Sequence, residues 1–282
     1  MNIKRFLIGV SAGAIMLGAF AGPALAATTC TFTTAGTTMT LDADCTTDAT
    51  IPIPDGYTLD GAGHTIVAND PAGNHFKGAV VANAGSTASV TNLTVKASGL
   101  ANVCDGGADR LRGIMFDGAS GSITHNNVED INQGASGCQE GNAIEFRNAP
   151  FDGTHPGTKS VTITDNTVIN YQKTGILANG DVYASISENS VVGVGSINYI
   201  AQNGIQVGFG ATGSVVSNSV TDNYYTGCSN QDAAKTGCIP WVSAGLLLYD
   251  VDANNVKKSK NIYRGNQFNM LLLTSQSINP GP

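Results

Sequence analysis

The chain has 282 residues, with 14 Lys+Arg against 21 Asp+Glu and a net charge of −7. With so few cations, and no basic cluster beyond Lys257–Lys260, nucleic acid and anionic membrane surfaces are poor partners. Only 12% of residues are charged and 6% aromatic while glycine reaches 35, a composition that favours many short strands joined by tight turns over helices.

Residues 1–26 carry Lys4 and Arg5, an apolar run from Phe6 to Phe20 and the small-residue ending Ala24-Leu25-Ala26. This pattern predicts an export signal cut after Ala26, hence a secreted protein, extracellular or on the cell surface, with no membrane segment in the mature form. Cutting there removes two basic and no acidic residues, so the charge moves from −7 to −9. The six cysteines all lie beyond the signal, and an even count in an exported chain predicts disulfides. Sequential pairing, Cys30–Cys45, Cys104–Cys138 and Cys228–Cys238, is the simplest of the fifteen connectivities. A metal-binding reading of the same cysteines lacks CxxC spacing and a nearby histidine.

Residues 27–54 read as short strands that cap the main body, residues 55–282. The first stretch of that body, "YTLDGAGHTI" (57–66), has too few glycines for a dinucleotide fingerprint and no helical pattern after it. It reads instead as strand, corner and strand, with Leu59 and Ile66 inward, Gly61 and Gly63 at the bend, Asp60 bonding the turn and His64 at its edge.

Two elements then alternate along the chain. One is "ITHNNV" (123–128), "ITDNTV" (163–168), "ISENSV" (186–191), "VVSNSV" (215–220) and a looser "IYRGNQF" (262–268). Their asparagines, Asn126, Asn166, Asn189, Asn218 and Asn266, are 40, 23, 29 and 48 residues apart. The other is "RGIMFD" (112–117), "NAIEFRN" (142–148), "TGILAN" (174–179), "NGIQVG" (203–208) and "AGLLLYD" (244–250), each a small residue followed by half-buried alternation. A 23-residue unit matches one turn of a solenoid, and the longer units match a turn carrying an inserted loop. Stacked turns would place the asparagines in a ladder of side-chain amides. The final strand, "NMLLLTS" (269–275), reads as buried.

The coil length, the asparagine ladder, the recurrent Gly-Ile strands and "LDGAGHTI" resemble the right-handed parallel β-helix proteins, the pectin-lyase-like superfamily. The resemblance implies an all-β right-handed parallel β-helix with an N-terminal β cap. It does not select a chemistry, because that architecture hosts lyases, hydrolases, esterases, epimerases and adhesins. The carboxylate motifs of the polygalacturonase-like hydrolases and the signatures of the pectin methylesterases and mannuronan epimerases are missing, and there is no G-x-S-x-G nucleophile elbow. A polysaccharide lyase needs less: groups that neutralise a uronate carboxylate and a base near the C5 proton.

Stacking the Gly-Ile strands predicts one polar patch on their outer face. Arg147 and Lys173 are the expected carboxylate-neutralising or base residues, and Glu145 and Asp117 the metal-binding or orienting ones. Asn179, Gln202 and Gln206 are expected to bind substrate, with Trp241, at the end of the inserted segment 224–241 that also holds the Cys228–Cys238 loop, as a stacking platform. A cross-strand ion pair of Asp117 over Arg147 is the bland alternative. Asp105, Asp109, Glu129, Asp130 and Glu140 in the inserted loops supply oxygen ligands that make Ca²⁺ a candidate cofactor, without an EF-hand spacing. The expected partner is a polysaccharide bound by a monomer, the competing expectation a non-catalytic scaffold of the cell surface or matrix. Ice or mineral binding by a flat threonine face ranks last, because no regular T-x-T column runs through the later repeats.

Overall fold

The computed structural model describes residues 28–97, 99–149, 155–227 and 242–274. The chain winds as a parallel β-helix. Each coil contributes one strand to each of three sheets, of nine, eight and eight strands, and every pairing is parallel except the hairpin of Phe32–Ala35 with Thr38–Leu41. The first complete coil is Thr38–Leu41, Cys45–Thr47 and Ile51–Ile53, so coiling begins inside the segment read as a cap and only the hairpin strand stands outside it. The last is Val256–Ser259, Ile262–Arg264 and Phe268–Leu273. Cys30–Cys45 ties the hairpin to the first coil and Cys104–Cys138 joins two inserted loops. Cys228, Cys238 and Trp241 lie outside the described residues.

Sequence periodicity becomes spatial stacking. Ile114, Ile144, Ile176, Ile205 and Leu246 are register partners in the third sheet, all fully buried, and Val90, Ile123, Ile163, Ile186 and Val215 do the same in the first. Each residue therefore packs on its own counterpart above and below, and the branched side chains suit a pleated, half-buried surface.

The glycine of the Gly-Ile strands has a steric cause. A Cβ on Gly175 would fall 2.5 Å from Val191 Cγ1 and 2.6 Å from the Gly204 carbonyl. The chain enters the third sheet there by passing close over the second-sheet valines, and only the smallest residue leaves room.

The corner between the first and second sheets is the second recurrent constraint. His125, Asp165, Glu188, Ser217 and Lys260 all have φ between 56° and 60°, a left-handed bend. The next residue is the ladder asparagine. Asn126 Nδ2 donates to Asn166 Oδ1 (3.0 Å), Asn166 to Asn189 (2.9 Å), Asn189 to Asn218 (2.9 Å) and Asn218 to Asn261 (3.1 Å). Each Oδ1 also accepts the backbone N–H of the preceding rung, as Asn166 Oδ1 does from Asn126 N at 3.0 Å. The fifth rung is Asn261, not Asn266. Asn266 instead accepts from Asn223 Nδ2 (3.0 Å) at the other end of the second sheet, where Tyr171 also donates to Asn223 Oδ1. "YTLDGAGHTI" is an earlier copy of the first corner: Leu59 and Ile66 are fully buried, Ala62 and Gly63 bend at φ 50° and 83°, and Asp60 accepts from Ala62 N at 2.9 Å.

The final strand departs from expectation. Met270 and Leu272 are 53% and 51% exposed, since they continue the inward columns of Leu246 and Leu248 with no further described coil above them.

The outer face of the first sheet is unusually regular. Ser89, Ser122, Thr162 and Ser185 stand in one register column, and Thr91, Thr124, Thr164 and Ser187 in the next. Counting serine with threonine restores the two-wide column that threonine alone does not make.

The ladder predicts a large, local cost for losing one rung. Asn166→Ala strands the Asn126 N–H and the Ile123 carbonyl and leaves Asn126 Nδ2 with its bond to the Val90 carbonyl alone, so it should lower unfolding free energy by roughly 3–5 kcal/mol in urea titration, at about 1–3 kcal/mol per orphaned buried group.

Candidate functional site

The third sheet carries the site because its outer face is overhung by inserted loops. Three outward columns run along it: Arg112, Asn142, Thr174 and Asn203; Met115, Glu145, Leu177 and Gln206; and Asp117, Arg147, Asn179 and Gly208. Side chains that would be solvated on an open sheet are enclosed here. Glu145 is 3% exposed and Arg147 7%. Between sheet and loops lies a groove of about 580 Å³, within the range of small-ligand sites.

One end is walled by the loops before Arg112 and before Asn142. Disulfide Cys104–Cys138 joins them, and the buried Glu140 carboxylate accepts from Asp105 N (2.9 Å) and Leu111 N (2.8 Å). His75 Nε2 lies 2.8 Å from Asp105 Oδ2, and Gln172 Nε2 donates to the Cys138 carbonyl at 2.9 Å. Arg112 braces the same wall, donating to the carbonyls of Gly107 (3.1 Å) and Arg110 (2.8 Å). At the other end Phe209 and Tyr249 line the groove, edge to face at 5.0 Å.

The charges form a chain. Glu145 Oε2 accepts from Arg112 Nε (2.6 Å) and Asn142 Nδ2 (2.8 Å), and its Oε1 lies 3.6 Å from Arg147 Nη1. Arg147 Nη2 donates to Asp117 Oδ2 at 2.9 Å, the cross-strand pair read from the register. Arg110, Arg112, Arg147 and Lys173 thus face the groove against Glu145, with Asp117 just beyond. An acidic protein has concentrated cations in one cleft, where field lines focus and an anion is attracted.

Lys173 projects from the strand entrance and donates to the Ala201 carbonyl at 2.8 Å. Burial, with the Arg110 guanidinium second, pushes its amine down from 10.5 to about 8. A substantial fraction is therefore neutral in mildly alkaline solution and able to accept a proton. Two further atoms face the groove in an incomplete state: among the described residues, Asn142 Oδ1 and Asn179 Oδ1 are buried without a hydrogen-bond partner. Orphaned buried acceptors are uncommon, and a ligand hydroxyl would satisfy them.

Glu145, Arg147, Lys173, Asn179 and Gln206 are thus brought together in the groove, with Asp117 adjoining through Arg147. Gln202 is not among the lining residues. It is fully buried, donates to the carbonyls of Tyr171 and Gln172 and accepts from Val194 N at 3.0 Å, so its amide supports the coil. The acidic residues considered for Ca²⁺ are dispersed. Asp109 pairs with Lys77 (3.0 Å), Glu129 with Lys96 (2.5 Å), and Asp130 accepts from Asn170. The single cluster of metal-ligand type among the described residues, Cys104, Cys138 and Glu140, offers no thiolate because its sulfurs are bonded.

Sequence reading passed over Arg110, Arg112 and Asn142. The signal for the last two was present: in "RGI" and "NAI" a polar residue stands immediately before the small one, as in "TGI" and "NGI".

Fold and groove together define a parallel β-helix with a cationic cleft on one face. No protein-family model matches the chain, and no curated protein matches it in sequence.

The buried charges make two measurable differences. Glu145→Ala leaves the buried Arg112 uncompensated and should destabilise by about 3–5 kcal/mol in chemical denaturation, the cost of breaking a buried pair. For Lys173, the folded amine titrates near 8 and the unfolded one near 10.5, so the unfolded state binds more protons between them and stability rises with pH across that window. Lys173→Met should remove that rise from melting curves recorded between pH 8 and 10.5.

Proposed function

We propose that the groove binds an acidic polysaccharide segment, one uronate unit at its centre, and that the chemistry performed there is β-elimination. The observation that carries this reading is the pairing of cations with unsatisfied amide oxygens in one enclosed cleft: the first suit a carboxylate, the second the sugar hydroxyls. In this reading Arg147 neutralises the uronate carboxylate and so acidifies the C5 proton. The neutral Lys173 amine takes that proton, the C4–O bond breaks as the C4=C5 double bond forms, and the departing oxygen is protonated by water. Asn142 and Asn179 hold hydroxyls, Gln206 extends the polar lining, and Asp117 and Glu145 orient the guanidinium. Phe209 and Tyr249 offer ring faces to an adjoining sugar. The export-signal pattern and the resemblance to the pectin-lyase-like superfamily support an extracellular or surface polymer as the target.

A second reading has its own support. Arg112 and Arg147 are both engaged with carboxylates of the chain, as expected of a scaffold whose charges serve stability.

Purified protein incubated with uronate polymers separates the two by ultraviolet absorbance at ~235 nm, where the conjugated product of elimination absorbs. The expected result is absorbance growth whose rate rises through about pH 8, as Lys173 loses its proton, and which Arg147→Ala and Lys173→Ala abolish. Retention of polymer without absorbance leaves a binding protein. No retention on any polymer, with both variants altering stability alone, leaves the scaffold.

A further inference from the structure

The hydroxyl face of the first sheet is independent of the groove. Its two columns carry serine or threonine at every position from Ser89 to Ser187, and no Lys, Arg, Asp or Glu stands in either over that span. The second column ends at Asp60 one coil before and at Val216 one coil after, and the first runs one coil further, through Ser214, before Lys257 ends it. The array is held in place from within. Ser122 Oγ donates to Ser89 Oγ at 3.0 Å, Thr124 to Thr91 at 3.3 Å and Ser187 to Thr164 at 3.1 Å.

Strand propensity favours threonine on any exposed sheet, and alone it would produce the same array on the second sheet. It does not. There the column of Thr94, Asn127 and Thr167 is flanked by Lys96, Glu129 and Ile169, with Lys96 and Glu129 ion-paired. Two-dimensional hydroxyl order is a property of one face.

Parallel strands lie ~4.8 Å apart and alternate residues along a strand ~6.7 Å apart, so the in-register hydroxyls form a repeating grid. Each hydroxyl both donates and accepts, so a partner that meets the remaining bonding capacity of many of them together must repeat with the spacing of the grid, and the two columns present no charge over this span to recruit an ion. Among the described residues of this sheet, Tyr183, in register with Ser160 at the edge of the grid, is the aromatic side chain beside the columns, and no row of ring platforms for sugar faces runs along them. We propose that the outer face of the first sheet binds the surface of ice. Its rigid hydroxyls, already fixed by one another, lose little freedom when they join the ordered water of the crystal.

Nanolitre osmometry on the full chain tests this. The expected result is a gap between melting and freezing temperatures with faceted crystals, and capture of the protein into a growing ice front. Thr162→Lys and Ser185→Lys, made separately and checked for a wild-type melting curve, should each lose the gap, while Thr167→Lys on the second sheet keeps it. Two variants guard against one failing to fold. Absence of a gap and of faceting in the wild type overturns the proposal, as does a gap that survives both grid variants. Retention on crystalline cellulose or chitin without any effect on ice likewise overturns it and assigns the face to a solid polysaccharide.

Discussion

Everything in this molecule depends on parallel strands stacking in register, coil on coil. A parallel strand satisfies its backbone only through neighbours supplied from one full turn away, so the coil is stable only as a stack. Register then forces like onto like. The branched aliphatic columns fill the interior, the close passage over Val191 and Val220 demands a glycine, and the left-handed corners demand a group that answers the bent backbone from inside. Asparagine does this because one amide both donates and accepts, allowing Asn126 through Asn261 to continue without an unpaired end between rungs. Loops of any length can be inserted between rungs without disturbing this, since closing a longer loop adds little entropy cost.

That tolerance is what makes a site. An open sheet face would leave Glu145 and Arg147 solvated, their mutual attraction screened. The loops before Arg112 and Asn142, tied by Cys104–Cys138 and by the Glu140 carboxylate, raise a wall beside the third sheet and withdraw these charges from water. Enclosure has opposite consequences for different groups. Glu145 and Asp117 pair with the arginines, while the lysine amine, half-buried and facing Arg110, is held near the point of losing its proton. Fixed cations, an amine near the point of losing its proton and two amide oxygens left open are what the proposal of a carboxylated, hydroxylated ligand rests on, and their enclosure carries a cost in stability that the ladder and core absorb.

The coil was legible because its constraints recur. Asn126, Asn166, Asn189 and Asn218 sit in the same local frame, and the Gly-Ile strands announce the third sheet. Asn261 was missed for a physical reason: its rung sits in "SKNI", where Lys260 makes the left-handed bend in place of the commoner small or acidic residue, while Asn266 in "GNQF" imitates the pattern at a different corner. The outward direction of Glu145, Arg147, Asn179 and Gln206 followed from alternation, and so did the stacking of Asp117 on Arg147. Gln202 did not, because it precedes the strand at a corner where the chain turns inward and alternation no longer holds. Arg110 belongs to a loop whose path no periodicity encodes. The hydroxyl columns depend on register across coils separated by 23 to 40 residues, and serine and threonine count as equals there only once their side chains are seen to share a face.

The most direct test of the central claim is a crystal structure of the protein soaked with a short oligouronate at a pH below 8, where Lys173 is protonated and turnover is slow. The account predicts a sugar in the third-sheet groove with its carboxylate against Arg147 and Lys173 and hydroxyls donated to Asn142 Oδ1 and Asn179 Oδ1. An oligosaccharide bound elsewhere on the coil, or a groove that stays filled with water at saturating ligand, would contradict it.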